Sequence, residues 1–178
     1  MKLFCAFWLG IVCLTANSVL GAAGPETFKV SEFSFKRPAT WDWVETASPM
    51  RKAQLKIWDA KKEKSGEVVF FYFGEGNGGG TAANVDRWLG QFQEPRAKIN
   101  SKVEDAKVGN QKITYVQAEG TYKSGMPGGP QTPMAGTMLM GAILESEQGN
   151  VFVKLTAPVS LAKSARDDFR KMVESVTK

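Results

Sequence analysis

The chain of 178 residues has no histidine, and its two cysteines, Cys5 and Cys13, both lie near the N-terminus. Each absence removes chemistry. Without imidazole there is no Ser-His-Asp triad, no Cys-His dyad and no usual imidazole zinc site, and beyond Cys13 there is no thiolate site either. What survives is chemistry run by carboxylates, lysine, tyrosine, or oxygen-ligated Ca²⁺ and Mg²⁺. No Asp-x-Asp-x-Asp-Gly calcium loop occurs, and no glycine-rich turn ends in Gly-Lys-Ser/Thr. Adjacent acids such as Asp167 and Asp168 project roughly 100° apart on a helix, so they share no site. Nothing nominates a catalytic acid and base, and no cofactor or metal is expected.

Met1-Lys2 precedes an apolar core from Leu3 to Leu14 and then small and polar residues from Thr15 to Ala23, the pattern of a secretory signal peptide. Val19 and Gly21 at positions −3 and −1 suit cleavage before Ala22, with Ala22 or Ala23 offering neighbouring alternatives. The apolar stretch is shorter than the roughly 17–25 residues of a spanning helix, and neither cysteine has the context of a lipid anchor. Residues 1–21 thus read as a cleaved leader, 22–31 as a polar lead segment and 32–178 as one domain. The mature chain is exported to the periplasm or beyond, without a disulfide. The formal net charge of +5 comes from scattered basic residues, with Lys61-Lys62-Glu63-Lys64 the densest group and best read as a solvated turn. An exported protein with no basic stripe is not expected to bind nucleic acid.

The organising stretch is Val68 to Phe92. Val68-Val69-Phe70-Phe71-Tyr72-Phe73 has no polar alternation, which suits a strand covered on both faces. Glycines follow, and then a helix from about Ala82 to Gln93 whose stripe is Val85, Trp88, Leu89 and Phe92, with Thr81 as its cap and Glu94-Pro95 as its stop. Strand alternation occurs at Phe33 to Lys36, Trp41 to Val44 and Ala53 to Asp59, the last forming a hairpin with the central strand. Trp41 and Trp43 could stack on a sugar, but a helix layer above them accounts for both equally well. A polar stretch runs through Asp105, and strand character resumes from Val108 to Val116 around Gly109-Asn110. Thr137 to Leu144 and Val151 to Thr156 form a second hairpin. From Ser160 a terminal helix carries Leu161, Ala165, Phe169, Met172, Val173 and Val176 on one stripe. The sum is an α+β fold, an antiparallel sheet of six or seven strands flanked by helices.

Two stretches are candidate binding elements. Gly76, Gly78, Gly79 and Gly80, with Asn84 in the first turn of the helix, have the strand-loop-helix order that can present backbone N–H groups to an anion. Against that, the loop has no gripping lysine, Glu75 intrudes a negative charge, and Arg87 falls on the far side of the helix, so a turn demanding positive φ competes with the anion site. The second stretch is the Gly/Pro-rich run Tyr122 to Gly136, which is read as an irregular loop presenting Tyr122, Met126 and Met134.

Phe70 to Gly74 with Gly76, Gly78 and Gly79, then Asn84, Arg87-Trp88 and Gln91-Phe92, resembles a group of exported proteins of planctomycete-type bacteria. Phe33-Ser34-Phe35, Pro38, Trp41, Ser48 to Arg51 and Lys154 to Pro158 fit the same pattern. The order of elements also resembles the PsbP-like α/β/α sandwich. That resemblance implies helices on both faces of the sheet and a binding or assembly role without catalytic residues. The expectation is therefore a non-catalytic binding domain of the bacterial envelope with a protein or envelope component as partner. The alternative is a small-ligand protein or carboxylate-based hydrolase acting on envelope sugars or phosphate esters.

Overall fold

The computed structural model describes residues 24–125 and 129–177. The expected leader lies outside them. The described chain forms β1 (Thr27–Val30), β2 (Phe33–Lys36), β3 (Asp42–Trp43), β4 (Arg51–Trp58), β5 (Ser65–Tyr72), α1 (Thr81–Leu89), a short 3-10 turn at Arg96–Lys98, β6 (Lys102–Val108), β7 (Gln111–Gly125), β8 (Gln131–Leu144), β9 (Val151–Pro158), α2 (Val159–Ser164) and α3 (Arg166–Glu174). Seven strands make one antiparallel sheet in the order β3-β4-β5-β9-β8-β7-β6, while β1 and β2 pair separately. Among the described residues no helix is long and apolar enough to cross a membrane.

Elements pack on both faces of the sheet, though α1 covers only part of its own face. Val68 and Phe70 point into the larger core with Phe33, Phe35, Leu55, Leu155 and Phe169, beneath β1, β2, α2 and α3. The opposite face holds a smaller core in which Val85, Trp88 and Leu89 of α1, with Phe92 just beyond it, meet Val116, Leu139, Ile143 and Phe152. Trp88 can approach this closely because β8 has no side chain beneath it at Gly141. Trp41 is buried in the larger core, and half-buried Trp43 packs against that core with its ring 5.4 Å from the Phe28 ring. The two rings therefore do not form a paired stacking platform for a sugar, since Trp41 is buried.

Several elements depart from the sequence expectation. Thr27–Val30, counted with the lead segment, is a strand paired to β2, and Phe28 and Val30 are buried. Polar Lys102–Val108 is also a strand: as the outer edge of the sheet it can carry charges that an inner strand could not. The run from Tyr122 to Gly136 is largely a ladder, with Tyr122 opposite Met134 and Gly125 opposite Gln131 after a bulge near Gly120. Its composition misleads because this arm extends beyond β9, whose pairing with β8 begins at Thr137, so Pro133 costs no hydrogen bond on that side.

The helices differ at their ends. Gly80, not Thr81, is the N-cap of α1, and the Thr81 hydroxyl instead donates to Glu145 at 2.8 Å. The helix stops at Leu89, earlier than Pro95 demands. Gln91 and Gln93 then bond to the edge of β7, through Lys123 N–H to Gln91 O at 2.7 Å and Gln93 N–H to Thr121 O at 2.9 Å. The terminal helix breaks at Ala165, where Ser164 Oγ donates to the Leu161 carbonyl and competes with the helical ladder. Its apolar stripe survives the break, with Leu161, Ala165, Phe169, Met172 and Val173 all buried.

Candidate functional site

The glycine loop is a turn locked from within. Gly74, Gly76, Gly78 and Gly79 have φ of +90°, +68°, +85° and +78°, values that L side chains rarely adopt. Asn84 is buried, and its Nδ2 donates to the carbonyls of Gly78 at 2.8 Å and Gly80 at 2.9 Å. Its Oδ1 accepts from Arg87, which is otherwise exposed. Both ends of the Asn84 amide are thereby used inside the chain. At Gly78 a β-carbon would come within 2.9 Å of the Phe152 and Phe73 rings, while Gly76 and Gly80 have open space around them.

A second constellation forms on the same face of the sheet, where α1 no longer covers it. In β4 the buried residues Ala53, Leu55 and Ile57 alternate with half-exposed Gln54, Lys56 and Trp58, so one side of the strand faces the larger core and the other faces out. The registers place Gln54 beside Val69, Val69 beside Lys154 and Lys154 beside Gly141. Lys154 is the one charged residue in the otherwise apolar and threonine-bearing strand β9. Its Nζ donates to Tyr122 Oη at 3.0 Å and lies 3.5 Å from Gln91 Oε1, near the rings of Tyr122 and Phe71.

No carboxylate among the described residues lies within ion-pair distance of Lys154. The nearby Glu67 is engaged by Arg51 at 3.1 Å. Burial lowers the Lys154 amine to about 8; the Glu67 charge opposes this, and Arg51 and Arg87 add to it. Burial, with the Glu67 charge behind it, pushes the Tyr122 phenol up to about 12. The result is a half-buried ammonium whose present partners are neutral oxygens, with donor capacity left for something else.

The fold is PsbP-like. The cyanobacterial PsbP (CyanoP) of Synechocystis sp. PCC 6803, known from its solution structure, superposes with a TM-score of 0.52 at 11% identity, over 92% of this chain and 98% of that one. A protein of Bacteroides thetaiotaomicron VPI-5482 gives a TM-score of 0.46 at 12% identity, covering 85% of this chain and 47% of that one. No family model and no curated protein sequence matches the chain. At such identities the likeness to CyanoP concerns the fold alone.

Within this PsbP-like fold the sequence-nominated residues fall into two groups. Gly76, Gly78, Gly79, Gly80 and Asn84 sit at the start of α1, whereas Tyr122 and Met134 lie opposite each other on the arm beyond its far end. Met134 is exposed, and Met126 lies outside the described residues. Tyr122 alone joins the polar constellation. Lys154 and Gln91 were missed as site residues, although a lone lysine inside Val151 to Leu155 is a signal that burial would strain it.

Proposed function

We propose that the chain is a non-catalytic binding domain, exported to the bacterial envelope, that engages a protein or envelope component through the uncovered half of its sheet. The observation that carries this reading is Lys154, a half-buried cation with neutral partners on an open face bordered by Phe71, Tyr122 and the Arg51–Glu67 pair. A buried charge is costly to hold without a counter-charge, and a partner that supplies an acidic group there would relieve that cost. The leader-like N-terminus and the resemblance to exported planctomycete-type proteins support the compartment. With no ligand motif in the glycine loop, Trp41 buried and Trp43 packed against the core, no observation favours the hydrolase alternative.

Affinity capture from envelope extract tests the reading. Wild type, Lys154→Met and Tyr122→Phe are compared with Arg96→Ala, which removes only the exposed Arg96–Asp86 pair on the outer side of the molecule. The expected result is a partner recovered by wild type and Arg96→Ala and reduced at least tenfold with Lys154→Met. Equal recovery with all four proteins would sink the proposal.

A further inference from the structure

The opposite face of the sheet carries a cavity that plays no part in that contact surface. It lies between α3 and the edge strands and has a volume of about 240 Å³. The register explains its walls. Glu104 lies opposite Tyr115 and Lys102 opposite Gln117 across β6 and β7, with Met140 on β8 completing the floor. Phe169 and Arg170 close it from α3, and Arg166 stands at the start of that helix.

The polar groups here are unequally satisfied. Glu104 binds both Lys102, at 2.5 Å, and Arg170, whose guanidinium also lies 4.4 Å from the centre of the Tyr115 ring. The hydrogen bond from Lys102 holds the Glu104 carboxyl below its ordinary range, and the Arg170 charge lowers it further. Arg166, at the exposed rim of the cavity, by contrast forms no hydrogen bond or ion pair among the described residues, although its charge is felt at Glu119. The half-buried amide of Gln117 likewise has no hydrogen-bond partner among the described residues. The lining therefore holds three cations against one carboxylate, with one guanidinium and one amide unspent.

We propose that this cavity binds a small organic monoanion with an apolar body, the chemistry of an aryl or alkyl carboxylate. A guanidinium fork and an amide N–H suit the two oxygens of one carboxylate. Phe169, Met140 and the Tyr115 ring receive the apolar part. The volume is below the roughly 300–1,000 Å³ of drug-sized sites, which sets the ligand near the size of a single ring with a short side chain. The surplus of positive charge selects an anion over its neutral amide.

The probe is phenylacetate, titrated into the ¹⁵N-labelled chain and read by amide shifts, with phenylacetamide as its neutral counterpart. Saturating shifts are expected at Gln117, Gly141 and Phe169, with at least fivefold weaker binding for phenylacetamide and for Arg166→Gln. Arg96→Ala, at the exposed Arg96–Asp86 pair away from the cavity, is expected to leave the affinity unchanged. Absence of saturating shifts, equal binding of the amide, full affinity in Arg166→Gln, or loss of binding in Arg96→Ala would each overturn the assignment. Because the two faces are read by separate variants, either proposal can fail while the other stands.

Discussion

The ammonium of Lys154 lies 3.0 Å from the hydroxyl of Tyr122, and the two are shifted in opposite directions from their ordinary ranges because loss of solvent disfavours the charged form of each. The charged lysine is thus disfavoured in the folded state. Lys154→Met, similar in length and without charge, is expected to be more stable than wild type at pH 7 by about 1–2 kcal/mol, after discounting for solvent screening of a half-buried group. Urea unfolding checks it. A variant less stable than wild type would show that the lysine supports the fold.

The same pair sets a pH dependence. Between pH 8 and the ordinary lysine range the unfolded chain holds a proton on Lys154 that the folded chain has released, so folded stability rises with pH. Above about pH 10 the unfolded Tyr122 ionises while the folded phenol stays protonated up to about 12, which reverses the slope. Thermal unfolding of wild type against Lys154→Met from pH 7 to 9.5 is expected to show the two curves converging. Parallel curves would refute the assignment.

Gly141 and Trp88 make a packing prediction. A β-carbon at Gly141 would come 2.2 Å from the indole Cζ3, closer than any real contact. Gly141→Ala is expected to cost about 1–3 kcal/mol as α1 is pushed from the sheet, with altered Trp88 fluorescence as a second readout.

Two glycines of the loop differ in a way that can be measured. Gly76 needs positive φ but has open space, whereas Gly78 needs positive φ and lies against Phe152 and Phe73. Gly76→Ala should cost about 1 kcal/mol and Gly78→Ala at least twice that in chemical unfolding. Equal costs would mean that backbone conformation alone governs the loop.

Asn84 ties that loop to the helix through two carbonyls. Asn84→Ala leaves the Gly78 carbonyl without its donor, while the Gly80 carbonyl keeps the Asn84 backbone N–H at 3.2 Å, and should destabilise by about 1–3 kcal/mol. Exposed Arg87→Ala should cost well under half of that.

Local pattern made much of this architecture legible. The unbroken apolar run of β5 announces a strand covered twice, and the stripes of α1 and of the terminal segment name the residues that cover it. Edge positions were opaque for a physical reason: β6 and the distal β7–β8 arm bury little, so Lys102–Val108 has no hydrophobic period and Pro133 is tolerated. The polar site was harder still, because Gln91, Tyr122 and Lys154 come from three distant segments. No spacing rule links them; only the placement of β9 between β5 and β8 does.

That placement also governs the order in which the molecule can assemble. The fourth of the seven strands across the sheet is the last to be synthesised, so the β4–β5 hairpin and the β6–β7–β8 meander stay two unjoined sheets until β9 emerges. β9 pairs with β8 across a short turn, but its pairing with β5, as Tyr72 opposite Val151, closes over a long stretch of chain, and such non-local closure is the slow kind. A ribosome carrying this sequence therefore holds a chain that cannot complete its fold ahead of translation, and any machinery requiring an unfolded polypeptide has until the arrival of Val151 to act.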